Sequence, residues 1–480
     1  ELDKEQPVLY AGGRGSSGHA FICDGYNSSD EFHMNWGWNS HCNGWYRLTA
    51  LNPDDKNYSY DLGATIIYNI YPVRDVNISG GNRSVIYVTP EGGGTRDGSS
   101  WENASSDLHG VVQQNYSEPK QIWVKKGTYY GNTSAGSGSA AFVISENNRV
   151  YGGFEGYESS LEERQLLNPS ILDGQQARRV LYQVSDFTLA DISIWDGFTI
   201  QNGLSDQRGT SNIDPHAEPM VNGSEMTGNG GGAYLKKNGI LRNCIIINCI
   251  AISGGGVFNN DGEIINCSFY NNQAENAGAL YNSSEGIVQL SNCVLDNNNS
   301  TGVYGGGIFN SGQLYIYEGT GIRNNNSERG GGLYNNGTIT LISGNISYNT
   351  GTEGAGIYSE GNVYMSGGLI SHNKALVSGG GVFASKKLNS NTMHRFSGGS
   401  ILNNISNSIG GGITVDNGDT YIMDSVKIQG NYESEKGGGK YAKGGKVLSN
   451  GYLYLISGVS RTNTARAPNS IEEAMLAGGN

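Results

Sequence analysis

The sequence holds 480 residues with 75 glycines but only 9 prolines, so its glycine excess belongs neither to a collagen repeat nor to a Pro/Gly linker. Hydrophobic residues supply 36% and charged residues 16%, enough apolar material for a core, which argues against disorder and against a coiled coil. The formal net charge of -13, with no basic stripe, argues against a binder of nucleic-acid backbones.

Residues 7–73 show no repeat. Ala20-Phe-Ile22, Phe32-His-Met34 and Trp45-Tyr-Arg-Leu48 read as short strands of an antiparallel meander joined by Gly, Asn and Ser turns. Taken alone, His19 reads first as a surface or hydrogen-bonded core histidine. Its surroundings change that weighting: glycine precedes it, and Asn35 stands between His33 and the tryptophans Trp36 and Trp38. Freedom of approach, an orienting amide and an apolar shield are what a nucleophile's base requires.

Residues 74–84 read as a linker, and residues 85–463 as a solenoid with an N-terminal cap. Its opening carries Ile86-Tyr-Val88, a helical stretch around Trp101 to Asn115, and Gln121-Ile-Trp-Val124 leading into Gly127-Thr-Tyr129. The helix is the natural cover for the open end. Residues 203–229 read as an inserted loop.

From residue 230 a small-residue triplet followed by an apolar and usually an aromatic residue recurs, as in GGGAY at Gly230, GGGVF at Gly254, AGALY at Ala277 and GGGIF at Gly305. There are nine copies in all, at steps of 24, 23, 28, 25, 24, 25, 31 and 27. A second motif, apolar-x-x-Asn, keeps phase with it, from Ile245/Asn248 and Phe269/Asn272 to Ile428/Asn431. A unit this short is too small for a propeller blade and shows no helical period, so it fits one coil of a parallel β-helix with two or three small strands. The triplet glycines are expected where backbone meets backbone or φ is positive, and the asparagines in left-handed turns. A weak capping box, Ser470 with Glu473, marks a short helix in the 464–480 tail.

Six cysteines lack CxxC spacing and a histidine pattern, which disfavours a zinc site. Cys244, Cys267 and Cys293 each follow an asparagine at coil spacing, so they are expected to stack as buried free thiols. No metal and no cofactor is expected. No apolar run reaches the roughly 18 residues of a membrane-spanning helix. Residue 1 is neither Met nor the start of a signal peptide, so the chain is expected to begin inside a longer protein.

Two resemblances sharpen these readings. IYVTPEGGGTRDGSSWENA, QIWVKKGTYY and DGFTIQNG resemble the opening of right-handed β-helix surface proteins of Bacteroidetes, and the paired repeat motifs are similar to those of chlamydial polymorphic outer-membrane proteins. Gly18-His-Ala-Phe21 with Asp24-Gly-Tyr26, Phe32-His-x-Asn-Trp-Gly-Trp38, Gly44-x-x-x-Leu48 and Ala50-Leu-Asn-Pro53 resemble the C-terminal half of the streptopain family of papain-like cysteine peptidases. The fold class implied is mainly β: a right-handed parallel β-helix preceded, over residues 1–73, by the β-rich C-terminal half of a papain-like α+β domain.

The second resemblance makes His19 the catalytic histidine, Asn35 its orienting side chain, Trp36 the indole that covers their hydrogen bond, and Gly18 the residue that leaves room for substrate backbone. Trp38 and Trp45 read as structural. The family's nucleophilic cysteine lies upstream of its histidine, so this chain is expected to be inactive by itself. Cys23 cannot replace it, standing four residues along the same strand, about 13 Å away. The implied function is a secreted or cell-surface bacterial cysteine endopeptidase that acts on proteins or peptides, its β-helix serving display or binding a glycan or protein. The alternatives are a structural or adhesive β-helix protein with a degenerate peptidase remnant and, more weakly, a polysaccharide-active β-helix.

Overall fold

The structure is a computed structural model. It describes residues 8–14, 17–27, 29, 31–36, 42–47, 62–67 and 85–450, the last with gaps of which 206–227 is the longest; side chains at 8–20, 62–67, 419–425 and 433–450 lie outside the description. The expected 74–84 linker, most of the 203–229 insertion and the 464–480 tail fall outside the described residues. The chain divides into two compact units, Glu1–Asn82 and Arg83–Asn480.

The first unit is a five-stranded sheet of β1 (Val8–Arg14), β2 (Ser17–Tyr26), β3 (Phe32–Asn35), β4 (Gly44–Tyr46) and β5 (Leu62–Ile67), in the order β4-β3-β2-β1-β5. Every pairing is antiparallel. The meander holds over β1 to β4, but β5 returns beside β1 and not beside β4. Alternation sorts the side chains. Phe21, Cys23, Met34 and Trp36 form a buried cluster, while Ile22, between two of them, is 41% exposed. The β2–β3 turn is tied by Asn27, whose Oδ1 accepts the backbone N–H of Ser29 and of Glu31.

The second unit is a mostly β solenoid of parallel strands, about ten turns over residues 120–429. One coil defines its section: Ile308–Asn310 on face 1, Gln313–Ile316 on face 2, Gly321–Arg323 on face 3 and Asn326–Arg329 on face 4, before Leu333–Asn335 restarts face 1. The coil thus holds four strands, not the two or three expected, because only two to four residues turn each corner. The first two turns, Lys120–Ile144 and Asn148–Gln183, have three strands; face 4 begins only at Leu204–Ser205.

The helix α1 spans only Leu108–Gln113, with Asp107 accepting the N–H of Gly110 as its N-cap, and Trp101 lies in a turn before it. Its buried residues Leu108, Val111 and Val112 join the axial core, and Asn148 donates to the Val112 carbonyl at 2.7 Å. An apolar end of the solenoid is thereby covered.

Three kinds of ladder hold the coils in register. Ile246, Phe269, Leu295, Ile322, Ile346, Ile370, Ile401 and Ile428 stack along the axial core. On face 1, Tyr234, Phe258, Tyr281, Phe309, Tyr334, Tyr358 and Phe383 stack ring on ring at 4.6 to 5.4 Å in a second buried cluster. The third ladder is of amides. Asn272 Nδ2 donates to Asn298 Oδ1 at 3.0 Å and to the Ile246 carbonyl at 3.0 Å, and Asn298, Asn325, Asn349, Asn373 and Asn404 repeat the arrangement. Each buried amide thus has partners on both sides, which burial demands.

This ladder corrects two expectations. The motif asparagine is not the left-handed residue. Its side chain enters the core, and the residue before it takes positive φ: Asn271, Asn297, Asn324, Tyr348, His372 and Asn403. In the first coil the register is Ile246/Cys249 and not Ile245/Asn248, since Asn248 has φ 56 and Cys249 takes the ladder site, its N–H donating to Asn272 Oδ1 at 3.0 Å.

Cys244, Cys267 and Cys293 stack as expected, buried and free, and Thr320, Gly344 and Gly368 continue their row. Burial pushes the Cys293 thiol up to about 11 and that of Cys249 to about 12, and raises Cys267 as well. A small alkylator is expected to leave all four solenoid cysteines unlabelled in the folded protein and to label all four in guanidinium. Mass spectrometry checks this, and rapid labelling of the folded chain would place them outside the core.

Candidate active site

Glycines stand on both sides of the β1–β2 pair where the expected histidine sits, Gly13 opposite Gly18 and Gly12 opposite His19. The side chain of His19 lies outside the described residues; the backbone of Gly18 and His19 is fixed within β2. Across the next pairing, Ile22 faces Asn35 and Cys23 faces Met34. His19 is therefore three residues along β2 from the partner of Asn35, which is the last residue of β3. At about 3.3 Å per residue along β2 and about 5 Å between neighbouring strands, the two backbones stand about 11 Å apart, so the register places the expected base and its orienting amide on paired strands without itself bringing them into contact.

Trp36 follows at once and is fully buried, its ring 4.1 Å from that of Phe21 and edge-on to Tyr46 at 5.6 Å. Its backbone N–H donates to Asn43 Oδ1 at 3.0 Å, and Tyr46 donates its hydroxyl to the Cys42 carbonyl at 2.5 Å. These bonds fix the chain as it leaves β3. Trp45 is 50% exposed and packs edge-on against His33 at 5.2 Å. Trp38 falls outside the described residues.

Neither local cysteine fits a nucleophile. Cys23 lies in β2 with His19, four residues farther along, its thiol buried and directed at the Gly25 carbonyl 3.7 Å away. Burial first, and the Asp24 charge in addition, raise its pKa, the opposite of what activates a thiol. Cys42 sits with φ 64 in the turn before β4, two strands from β2, about 10 Å.

One pair escaped the sequence reading. His33 Nδ1 lies 2.6 Å from Asp24 Oδ1, and both side chains are partly exposed. With Cys23 and Met34 buried beneath, Asp24, His33 and Asn35 share the other side of the sheet. Alternation around Met34 signalled that His33 and Asn35 share a side. Among the described residues no group of three or more His, Cys, Asp or Glu comes together as a metal site, and no helix is long and apolar enough to cross a membrane, which leaves a β-barrel unaddressed.

Comparison with known proteins finds likeness over a short stretch. The chain is 55% identical over 73 residues to a thiol protease/hemagglutinin, PrtT, of Porphyromonas gingivalis, a match that covers 14% of this chain and 8% of that protein. It is 47% identical over 53 residues to streptopain of Streptococcus pyogenes, covering 11% of this chain and 13% of streptopain. The chain thus spans a small part of the length of both relatives. Residues 1–46 match the Peptidase C10 family, to which the motifs around His19 and Asn35 point.

Proposed function

We propose that this chain carries the C-terminal part of the catalytic domain of a streptopain-like cysteine endopeptidase, joined to a β-solenoid that displays it or binds a ligand. His19 takes the proton of a cysteine thiol and returns it to the leaving amine, while Asn35 accepts the second ring N–H and holds the productive tautomer. Trp36 shields that hydrogen bond from water, and Gly18 leaves space for substrate backbone. Proteins or peptides are the substrates. The cysteine is supplied from outside these 480 residues, and the protein acts outside the cell or on its surface.

What carries the reading is the likeness of this stretch to the Peptidase C10 family, a thiol protease and streptopain, within which His19 and Asn35 lie on paired strands. The geometry of Cys23 and Cys42 supports an external nucleophile. A second reading, an adhesive solenoid with a peptidase remnant, draws on the relative whose name joins protease and hemagglutinin.

The two readings differ in one experiment. The 480-residue chain is expected to show no hydrolysis of a fluorogenic peptide. A polypeptide that adds the cysteine-bearing half of the family domain before Glu1 is expected to cleave it and to be inactivated by iodoacetamide. Cleavage by the 480-residue chain alone would overturn the external nucleophile, and an extended form that is inactive or insensitive to iodoacetamide would remove the peptidase assignment.

A further inference from the structure

We infer that the outer side of face 2 binds an extended, neutral, β-linked glycan. The inference concerns the solenoid and is independent of the peptidase reading.

Four successive strands form the surface: Ile287–Leu290, Gln313–Ile316, Thr338–Leu341 and Asn362–Met365. Their inward residues, such as Leu314, Ile339 and Val363, are buried in the axial core, so the residues between them point outward. The parallel register lines these up as two rows, Gln313–Thr338–Asn362 and Tyr315–Thr340–Tyr364. Tyr317 extends the aromatic surface across its coil, its ring near-parallel to that of Tyr315 at 6.5 Å.

Charge first narrows the ligand. No outward residue of these four strands is ionisable to a charged form at neutral pH, although the chain carries -13 overall. Faces 3 and 4 carry charge outward, with Asp296 and Arg323 on face 3 and Glu275, Glu328 and Lys374 on face 4. A polyanion, whether nucleic acid or acidic polysaccharide, finds no cation in the outward rows of these four strands; Arg395 stands beside Tyr364 in the next strand of the face. The chemistry offered is hydroxyl, carboxamide and aromatic ring, which suits a polyhydroxy ligand with apolar ring faces.

Spacing narrows it further. Tyr315 and Tyr364 are two coils apart, about 10 Å at the strand separation of a sheet. An extended β-linked chain turns the same side of its ring toward one surface at every second sugar, and that interval meets the two tyrosines. The polar row beside them is partly pre-organised: Tyr315 donates to Gln313 Oε1 at 3.0 Å, and Asn362 Nδ2 donates to Thr338 Oγ1 at 3.4 Å.

Isothermal titration of the 480-residue chain tests this with the β-1,4-linked hexasaccharides of glucose and of N-acetylglucosamine, and the α-1,4-linked glucose hexasaccharide as comparison. At least one β-linked probe is expected to bind and the α-linked probe to bind at least tenfold more weakly. Tyr315→Ala and Tyr364→Ala are each expected to weaken binding at least tenfold, while the corresponding Phe variants and Tyr432→Ala, an exposed tyrosine of face 4, retain it. The Phe variants separate loss of stacking from loss of fold. No binding of either β-linked probe at millimolar concentration, equal affinity for the α-linked chain, or full affinity in the double alanine variant would overturn the inference.

Discussion

With alanine in place of His19, the extended peptidase is expected to lose kcat/KM for a peptide by roughly 10^3-fold or more, the scale of general acid–base catalysis added to thiolate formation. The cause is double, since the same imidazole first removes the thiol proton and later protonates the leaving amine. Asn35→Ala is expected to cost less, about 10^2-fold, because the ring stays present and only its orientation loosens. Thermal unfolding of both variants should stay near that of the parent. The backbone of His19 pairs with Gly12 whatever its side chain, and Asn35 ends its strand. Undiminished cleavage with alanine at position 19 would refute the assignment. If the segment before Glu1 carries no cysteine, the adhesive reading takes over, and the solenoid becomes the functional part.

Gly306→Ala is expected to destabilise the solenoid by about 1 to 3 kcal/mol, whereas Gly321→Ala, on face 3 of the same coil, is expected to be neutral or to stabilise by about 0.4 to 1 kcal/mol. A Cβ at Gly306 would stand 2.4 Å from the carbonyl oxygen of Asn326 and 2.4 Å from that of Gly331, both backbone atoms of the chain stacked against it. Neither can swing aside, so the coils must separate. At Gly321 a Cβ meets nothing within 4 Å, and only the entropy of the unfolded chain changes. Urea midpoints of the two variants are the measurement, and equal midpoints would refute the close-approach argument. Asn299 would be a poorer control than Gly321. It lies within the strand Asn299–Tyr304 and accepts a hydrogen bond from Asn326 Nδ2, so it is not a bare turn position.

The coil repeat was legible because only glycine or alanine stands where a Cβ closes on a neighbouring carbonyl, alanine at Ala277, Ala279 and Ala355. Gly254, Gly305 and Gly330 also hold φ near 67°, a second constraint on the same triplet. Strand number was not legible, since three-residue elements such as Ile308–Asn310 contain too few alternations to separate one face from the next. Nor were the left-handed corners: Tyr348 and His372 occupy two of them, residues that sequence reasoning would not place at positive φ. The first-coil register was hidden because Cys249 stands where later coils carry asparagine, its sulfur accepting the Gly203 N–H at 3.4 Å. In the N-terminal unit, ordered motifs around His19 and Asn35 exposed the peptidase likeness. The Asp24–His33 pair stayed hidden because a register shift between Cys23 and Gly25 breaks the strict alternation that would have matched the two residues.

Along the amide ladder the sequence interval from one rung to the next runs 23, 26, 27, 24, 24, 31 and 27 residues, yet every backbone-to-amide bond measures 2.9 to 3.0 Å. Chain length and axial rise are thus uncoupled. The 31-residue step contains the extra residues between Ser385 and Met393, and its rung from Asn373 to Asn404 is no longer than the others. Whatever is inserted between two rungs must bulge sideways, because the amides dictate where the next coil begins. Variation in this protein can therefore be written on the flank of a single coil and leave its neighbours undisturbed, so that new surface can be acquired one loop at a time while the axis keeps its pitch.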